Sequence, residues 1–246
     1  MSITLHQFAF SHFNEKARWA LAFKGIEHQR ETYLPGPHMG AVRKLSGQTS
    51  TPVLEADGEV VAGSAAIIDY LERSQPTPAL YPELVEERAA ALELQTHFDA
   101  EVGPAVRTAL FSALVEEGGY LCQMFAGSKG LPKRVAYRAL FPLARGLIAK
   151  GNGVTDPETV EGAFAGTRKA LDTIAARTAA TGYCVGQAFT VADLTVAALF
   201  APIAQVKHLD MKRPEPMPER VQAVIAQFAD HPAVAWVQQI YARHRP

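Results

Sequence analysis

The sequence has few cysteines and no excess of charge of either sign, and these absences exclude several classes of protein. Cys122 and Cys184 are the two cysteines in 246 residues, and they form neither a disulfide framework nor a Cys-x-x-Cys zinc motif. Lys and Arg total 24 against 25 Asp and Glu, so the basic surplus typical of proteins that bind DNA or RNA is missing. We therefore expect no metal, no nucleic acid partner and a reducing compartment.

Long apolar runs are also missing. The longest, at 196–204, contains Pro202 and is far shorter than the roughly 20 residues that a bilayer-spanning helix needs. Residues 1–6 show no basic segment followed by an apolar one, so no signal peptide is predicted. The expectation is a cytoplasmic protein without a membrane partner.

The first 76 residues alternate between strand and helix signals. Asp57-Gly58 separates two short apolar runs, which is the strongest local signal for a β-hairpin. Ser64 is placed to cap the helix that follows. The order β-α-β-α-β-β-α predicts one small sheet covered by helices. The predicted strands are 3–8, 28–34, 53–56 and 59–62, and the predicted helices are 14–24, 41–45 and 65–73.

Residues from 83 onward carry helix signals alone. A long helical stretch at 83–117 is expected to be interrupted near Gly103-Pro104, and Thr190 and Asp193 have the spacing of a capping box. The helix after that box is apolar on all faces, which predicts a buried central helix. We expect two domains, 1–76 and 83–246, joined by a Pro-containing linker. The predicted loops are 118–119, 127–130, 150–153 and 212–218.

Four short motifs follow one another along the chain. They are the strand-loop-helix segment 5–26 that contains Ser11, the run 51–54 that begins Thr51-Pro52, the run 63–71 that begins Gly63-Ser64, and the segment 186–193 with its capping box. In this order they resemble the cytosolic-type glutathione S-transferases, in particular serine-type, theta/zeta-like bacterial members. The resemblance implies an α/β thioredoxin-like N-terminal domain, an all-α C-terminal domain and a homodimer. Residues 110–152 match no motif of the family.

Ser11 is the candidate catalytic residue. A serine hydroxyl beside a helix N-terminus can stabilise an anion, and the resemblance implies that this anion is the thiolate of glutathione, the co-substrate. The alternative interpretation of Ser11 is an ordinary helix cap. Asn14 either donates to the thiolate or caps the same helix.

The same resemblance implies the residues that bind glutathione. The backbone of Thr51, before a cis Pro52, would pair with the cysteinyl part, and Ser64 would hold the γ-glutamyl carboxylate; an ordinary trans Pro52 is the alternative. Gly63 stands where the family usually has Glu or Gln. His38 is the candidate for the glycine carboxylate, with Gln48 and Arg43 as alternatives. The predicted glutathione-binding residues are Thr51, Pro52, Gly63, Ser64, Asn14 and His38.

Aromatic residues would line the site of a second, hydrophobic substrate between the domains, or else belong to the core. Four are predicted to line it: Phe10, Phe13, Tyr120 and Phe125. His12 is expected to be exposed in the loop, and Lys16 and Arg18 are expected on a solvated or structural face. Cys184 is expected in the core, and the N-terminal domain has no cysteine for thiol-disulfide chemistry.

The function implied by the resemblance is transfer of the glutathione thiolate to a small hydrophobic electrophile, as in detoxification. Isomerisation or dehalogenation would use the same activated thiol. The alternative is a non-catalytic binding or interaction module with the same fold, which Gly63 and Ser50 favour because both depart from the family pattern.

Overall fold

A four-stranded mixed sheet organises the beginning of the chain. The computed structural model describes residues 3–246, so the first two positions of the predicted N-terminal domain lie outside it. The strands lie in the order β2-β1-β3-β4, with β1 parallel to β2 and antiparallel to β3. The predicted order of elements and the thioredoxin-like architecture are confirmed. The elements are β1 (Ile3–Gln7), α1 (His12–Phe23), β2 (Gln29–Thr32), α2 (His38–Ser46), β3 (Val53–Ala56), β4 (Glu59–Ala62) and α3 (Ser64–Ser74).

The β3–β4 hairpin has the predicted bounds because its turn chemistry is local. Asp57 and Gly58 adopt φ angles of 50° and 89°, the left-handed conformation that a two-residue hairpin requires. The start of α3 differs from the prediction. Ser64 is the first helical residue and Gly63, with φ 97°, takes the cap position, so the prediction that Ser64 caps this helix is wrong.

The remaining elements are helical, which confirms the predicted all-α architecture. Among residues 3–246, no helix has the length and apolar character needed to cross a bilayer. The helices are α4 (Val85–His97), a π-helical turn (Phe98–Val102), α5 (Gly103–Leu114), α6 (Gly118–Ala126), α7 (Leu131–Gly151), α8 (Pro157–Thr178), α9 (Val191–Ala204), a 3₁₀ turn (Leu209–Met211), α10 (Glu219–Ala229) and α11 (Pro232–His244).

The predicted interruption near Gly103-Pro104 lies just before these residues, at the π-helical turn Phe98–Val102, and Gly103 and Pro104 then begin α5. The predicted loop at 118–119 is absent. Gly118 and Gly119 open α6 instead of forming a loop. A Cβ at Gly118 would lie 2.7 Å from the ring of Phe141, so a glycine there allows a close approach between α6 and α7. Similarly, α7 continues to Gly151, past the predicted loop start at 150.

The predicted capping box anchors the central helix. Asp193 is fully buried, and its Oδ2 accepts a hydrogen bond from the Thr190 N–H at 2.9 Å while its Oδ1 accepts from the Cys184 N–H at 2.7 Å. Every residue of α9 is buried, and α9 packs against α1, α4, α5 and α11. The expectation of a buried Cys184 is also confirmed.

Helix α1 lies enclosed between the two halves of the fold. His12 was expected to be exposed, but it is buried and its Nε2 lies 3.2 Å from the carbonyl oxygen of Gly103 on α5. Burial is the main cause that lowers the pKa of His12 to about 3, so the imidazole is neutral. Lys16 is buried as well and pairs with Asp99, its Nζ 2.5 Å from Oδ2. A solvated position for Lys16 is therefore wrong, and its structural alternative is confirmed.

A buried ion network joins α1 to the C-terminal residues. The Glu15 carboxylate, fully buried, accepts hydrogen bonds at 2.8 Å from Nε of Arg18 and at 2.8 Å from Nε of Arg245. Asp210 then bridges Arg245, at 2.7 Å, and Arg30, at 2.5 Å. Arg18 is 1% exposed, so it also lies on no solvated face. Buried charges are tolerated when they are paired in this way, so the network fixes how the two halves meet.

Removing the Asp193 carboxylate should destabilise the protein. Asp193→Ala loses a cap, worth about 0.5–2 kcal/mol, and leaves buried amides without a partner, worth about 1–3 kcal/mol. We expect the free energy of unfolding in urea to fall by about 3 kcal/mol. The matched control is Asp69→Ala, which removes an exposed carboxylate paired with Arg73 and should cost about 0.5 kcal/mol or less. Equal losses in the two variants would contradict this account of Asp193.

The neutral, buried state of His12 should make stability depend on pH. The unfolded chain binds a proton at His12 below its ordinary pKa of 6.5, whereas the folded chain resists protonation down to about 3. Stability is therefore complete above pH 6.5 and lost as the pH falls, by about 2 kcal/mol between pH 7 and pH 5. His12→Gln keeps a donor toward Gly103 without titrating and should lack this loss. If the free energy of unfolding, measured in urea, changed with pH equally in the natural protein and in His12→Gln, the proposed effect of His12 would be excluded.

Candidate functional site

Ser11 lies between the end of β1 and the start of α1, in agreement with the strand-loop-helix pattern of the sequence. Its backbone is extended, and its Oγ accepts a hydrogen bond from the Asn14 N–H at 3.5 Å, so Ser11 is the N-cap of α1. The side chain is half-buried. Because the oxygen accepts the capping bond, the hydroxyl hydrogen remains available to an anion near the positive end of the helix.

Asn14 connects Ser11's helix to the loop before β3. The side chain is fully buried; its Nδ2 donates to the Thr51 Oγ1 at 3.2 Å, and its Oδ1 accepts from the Phe8 N–H at 3.4 Å. Both ends of the amide are thus bonded to protein groups. The alternative that Asn14 caps α1 is wrong, because Ser11 is the N-cap and the Asn14 side chain bonds to Thr51 and Phe8.

The Thr51-Pro52 peptide bond is cis, so the trans alternative is excluded. Thr51 is half-buried, and in the part of the chain that the structure describes its backbone N–H and carbonyl make no hydrogen bond. The Pro52 carbonyl accepts from the Gly63 N–H at 2.9 Å. This bond holds the cis-proline loop beside the start of α3, so the predicted residues Thr51, Pro52, Gly63 and Ser64 lie together.

The start of α3 offers unpaired backbone amides. Gly63 supplies no capping side chain, the first turn has no acidic residue, and Ser64 is buried with 5% exposure. Helix N-termini of this kind bind anions through their free N–H groups and the helix dipole. The start of α3 can therefore accept a carboxylate.

His38 lies at the start of α2, close to the same loop. Its Nδ1 accepts a hydrogen bond from the Gly36 N–H at 3.1 Å, and its ring stands edge-on to Phe8 at 4.6 Å between centroids. Burial lowers the pKa of His38, against an opposing effect of the Thr49 and Leu34 carbonyls. The imidazole is therefore a neutral hydrogen-bonding group and not a fixed cation.

The four predicted aromatic residues fall into two groups. Phe10 packs against the apolar cluster of α5, α6, α7 and α10 that contains Tyr120 and Phe125. Tyr120 donates from its hydroxyl to the Pro214 carbonyl at 3.1 Å. Phe13 instead packs against α5, where a Cβ added to Gly103 would lie 2.7 Å from its ring. The structure thus brings three of the four together and places Phe13 in the contact between α1 and α5.

The sequence did not indicate a cationic side chain that lies close to His12. Arg107 lies on α5, one turn after Gly103, and its Nε is buried without a hydrogen-bond partner. Within residues 3–246 no carboxylate pairs with its guanidinium, and burial lowers its pKa. Its charge is, after burial, the second cause of the lowered pKa of His12, the neighbour of Ser11. The signal in the sequence is that Arg107 is the one charged residue of α5.

Comparisons with known proteins identify the relatives of this chain. Residues 5–79 match the family model "Glutathione S-transferase, N-terminal domain". A glutathione S-transferase of Pseudomonas putida is 28% identical over 43% of this chain and 48% of its own length. A maleylacetoacetate isomerase of Dictyostelium discoideum is 26% identical over 45% of this chain and 54% of its own length. The chain thus spans about half the length of the curated relatives that it matches.

The similarity of fold extends along the whole chain. A solved structure of a glutathione S-transferase from Methylobacillus flagellatus KT with GSH bound superposes with a TM-score of 0.64 at 17% identity, covering 98% of this chain and 95% of that one. Residues 5–79 therefore belong to the glutathione S-transferase N-terminal domain family, and the chain as a whole has the fold of the glutathione S-transferases.

Proposed function

We propose that this protein is a serine-type, glutathione-dependent enzyme in which Ser11 stabilises the thiolate of glutathione. The observation that carries the proposal is the geometry of Ser11. Its oxygen is occupied by the capping bond from Asn14, and its O–H is left free at the positive end of α1. A sulfur placed there accepts a hydrogen bond from the hydroxyl.

The energies are sufficient for this role. A thiol with a pKa of about 8.5 is mostly protonated at neutral pH, and lowering that pKa by about two units requires about 2.7 kcal/mol of preference for the thiolate. A hydrogen bond to a charged group contributes about 1.5–3 kcal/mol, and a helix terminus about 0.3–1 kcal/mol. The thiolate then attacks the electrophile, while Ser11 forms no bond to carbon.

The other parts of glutathione would bind to two backbone regions whose polar groups are unpaired. The unpaired N–H and carbonyl of Thr51 would pair with its cysteinyl part, and the amides of α3, with Ser64, would hold the γ-glutamyl carboxylate. Gly63 supplies the cap position without a side chain. We assign Asn14 to positioning, because its buried amide ties Thr51 to α1.

His38 fits the role of shaping this site better than that of binding a carboxylate by charge. The neutral imidazole is held by the Gly36 N–H and the nearby Thr49 carbonyl. Gln48 and Arg43 therefore remain the candidates for the glycine carboxylate.

The second substrate would lie where the aromatic cluster meets the end of β1. Phe10, Tyr120 and Phe125 can form its apolar wall. In this proposal residues 1–76 bind glutathione and residues 83–246 supply the second substrate site. The proposal includes a symmetric homodimer, which the family resemblance implies, and the cytoplasmic location that the sequence predicts.

Arg107 favours a second candidate function, glutathione-dependent isomerisation of an acidic electrophile. The guanidinium of Arg107 has no carboxylate partner within residues 3–246 and its buried Nε makes no hydrogen bond, so a substrate carboxylate would pair with it. The relative from Dictyostelium discoideum, named as an isomerase, supports the same reaction class. Both candidates use the same thiolate at Ser11.

Replacing Ser11 should change the ionisation of bound glutathione. In Ser11→Ala the pKa of the bound thiol should rise by about one to two units, because one hydrogen bond to the anion is lost. Turnover at neutral pH should fall about 10- to 100-fold. Ultraviolet absorbance of the thiolate across a pH series measures the pKa. Ser11→Thr, which keeps the hydroxyl and the cap, should retain the low value.

The same variants separate the enzyme from a non-catalytic module. Calorimetry should show micromolar glutathione binding to the natural protein, and S-methylglutathione, which has no thiol to ionise, should bind Ser11→Ala as well as it binds the natural protein. Absent or millimolar binding of glutathione would instead support the module that Gly63 and Ser50 favour. A thiol pKa unchanged in Ser11→Ala would remove the proposed role of the hydroxyl.

Removing the charge of Arg107 should affect acidic substrates selectively. For Arg107→Met we expect kcat/KM to fall about 10- to 100-fold with an α,β-unsaturated carboxylic acid and to stay within about threefold with its methyl ester. Steady-state kinetics with the two compounds test this. Arg168→Met, which removes an exposed guanidinium stacked on Phe228, is the matched control. Equal losses with acid and ester would exclude a carboxylate site at Arg107.

A further inference from the structure

Among the elements within residues 3–246, helix α7 has the most strongly exposed large apolar side chains. It lies in the segment 110–152 that matched no family motif, and it packs chiefly against α6. In its 21 residues, Tyr137 and Phe141 are the buried side chains. The opposite side of the helix has no covering element in the part of the chain that the structure describes.

Five large apolar side chains lie on that open side. They account for half of the ten large apolar residues that are strongly exposed among residues 3–246. They are Leu131 (70% exposed), Val135 (60%), Leu140 (58%), Leu143 (79%) and Leu147 (73%). At about 100° per residue they fall within about half of the helix circumference, and the two buried aromatics fall in the other half.

The charges around this face are of one sign. From Gly118 to Thr155 the sequence has no Asp or Glu, although the whole chain has a net charge of -1. Five exposed cations belong to α7: Lys133, Arg134, Arg138, Arg145 and Lys150. The helical spacing puts the three arginines along one edge of the apolar face and Lys133 along the other, while Lys150, in the last turn, lies within the apolar face. Arg145 pairs with Glu116 at 2.5 Å, and the other four have no ion pair within residues 3–246.

We propose that this face of α7 docks onto an anionic lipid bilayer. An apolar helix face flanked by Lys and Arg lies in the plane of a membrane interface, with the leucines among the acyl chains and the cations at the headgroups. The long cationic side chains reach the headgroups while their stems cover apolar surface. The helix lies on the membrane and does not span it, so the proposal replaces the expectation of a protein without a membrane partner.

The charge pattern disfavours a second copy of this chain as the occupant. In a two-fold interface the same face meets itself, so the cations of one α7 would approach those of the other, with no carboxylate of this helix to pair with them. An anionic surface, in contrast, is complementary in charge to the cations along both edges of the apolar face of α7. The proposal extends beyond the proposed glutathione chemistry and does not depend on it.

Sedimentation of the full chain with vesicles tests the proposal. Vesicles of phosphatidylcholine mixed with phosphatidylglycerol should pellet the protein at least about tenfold more strongly than vesicles of phosphatidylcholine alone, and added salt should weaken the binding. The combined variant Leu140→Ser, Leu143→Ser and Leu147→Ser should lose binding about tenfold or more. The combined variant Lys133→Gln, Arg134→Gln and Lys150→Gln should lose the preference for anionic lipid.

The matched control replaces three equally exposed apolar residues elsewhere: Leu84→Ser, Val85→Ser and Leu209→Ser. It should bind vesicles like the natural protein. Circular dichroism and thermal unfolding verify that each variant is folded. Three results would overturn the proposal: no binding to anionic vesicles, equal binding to neutral ones, or a stable dimer in solution that the leucine variant dissociates. Binding of an acidic amphipathic peptide at this face, without vesicle binding, would replace the bilayer with a protein partner.

Discussion

The enclosure of α1 is the constraint on which the proposed site depends. Several polar residues of this helix are buried, and three of them are matched by groups from the helical half: His12 by the Gly103 carbonyl, Lys16 by Asp99, and Glu15 by Arg245. An unpaired charge at any of these positions would be strongly destabilising. These paired contacts fix the position of α1 in the fold. Because Ser11 is the N-cap of α1, they fix the position of Ser11 as well.

The elements that could be predicted from the sequence are those with local causes. Asp57-Gly58 sets the hairpin through its own φ angles, and Thr190 with Asp193 forms the capping box within one helical turn. The burial of His12 and Lys16 could not be predicted in this way, because their partners lie 91 and 83 positions away. A charged residue near the N-terminus of a helix looks the same in sequence whether it faces water or a second domain.

The features of the candidate site also separate into those with local causes and those that depend on distant contacts. The cap position of Ser11, the cis bond at Pro52 and the grouping of Thr51 with Ser64 follow from short motifs and their order. The bridge from Asn14 to Thr51 and the unpaired guanidinium of Arg107 depend on how distant segments meet. Sequence reasoning identified the residues that we propose for glutathione binding, and it did not identify Arg107 or the contact between Asn14 and Thr51.

The ion network between the halves limits how this protein can be recombined. If the N-terminal half were fused to a foreign set of helices, the buried Glu15 would lose Arg245 and the buried Arg18 would lose Asp210. A chimera of this type needs the matching C-terminal residues grafted with it. Recombination of this chain is thereby restricted to partners whose buried charges match those of α1.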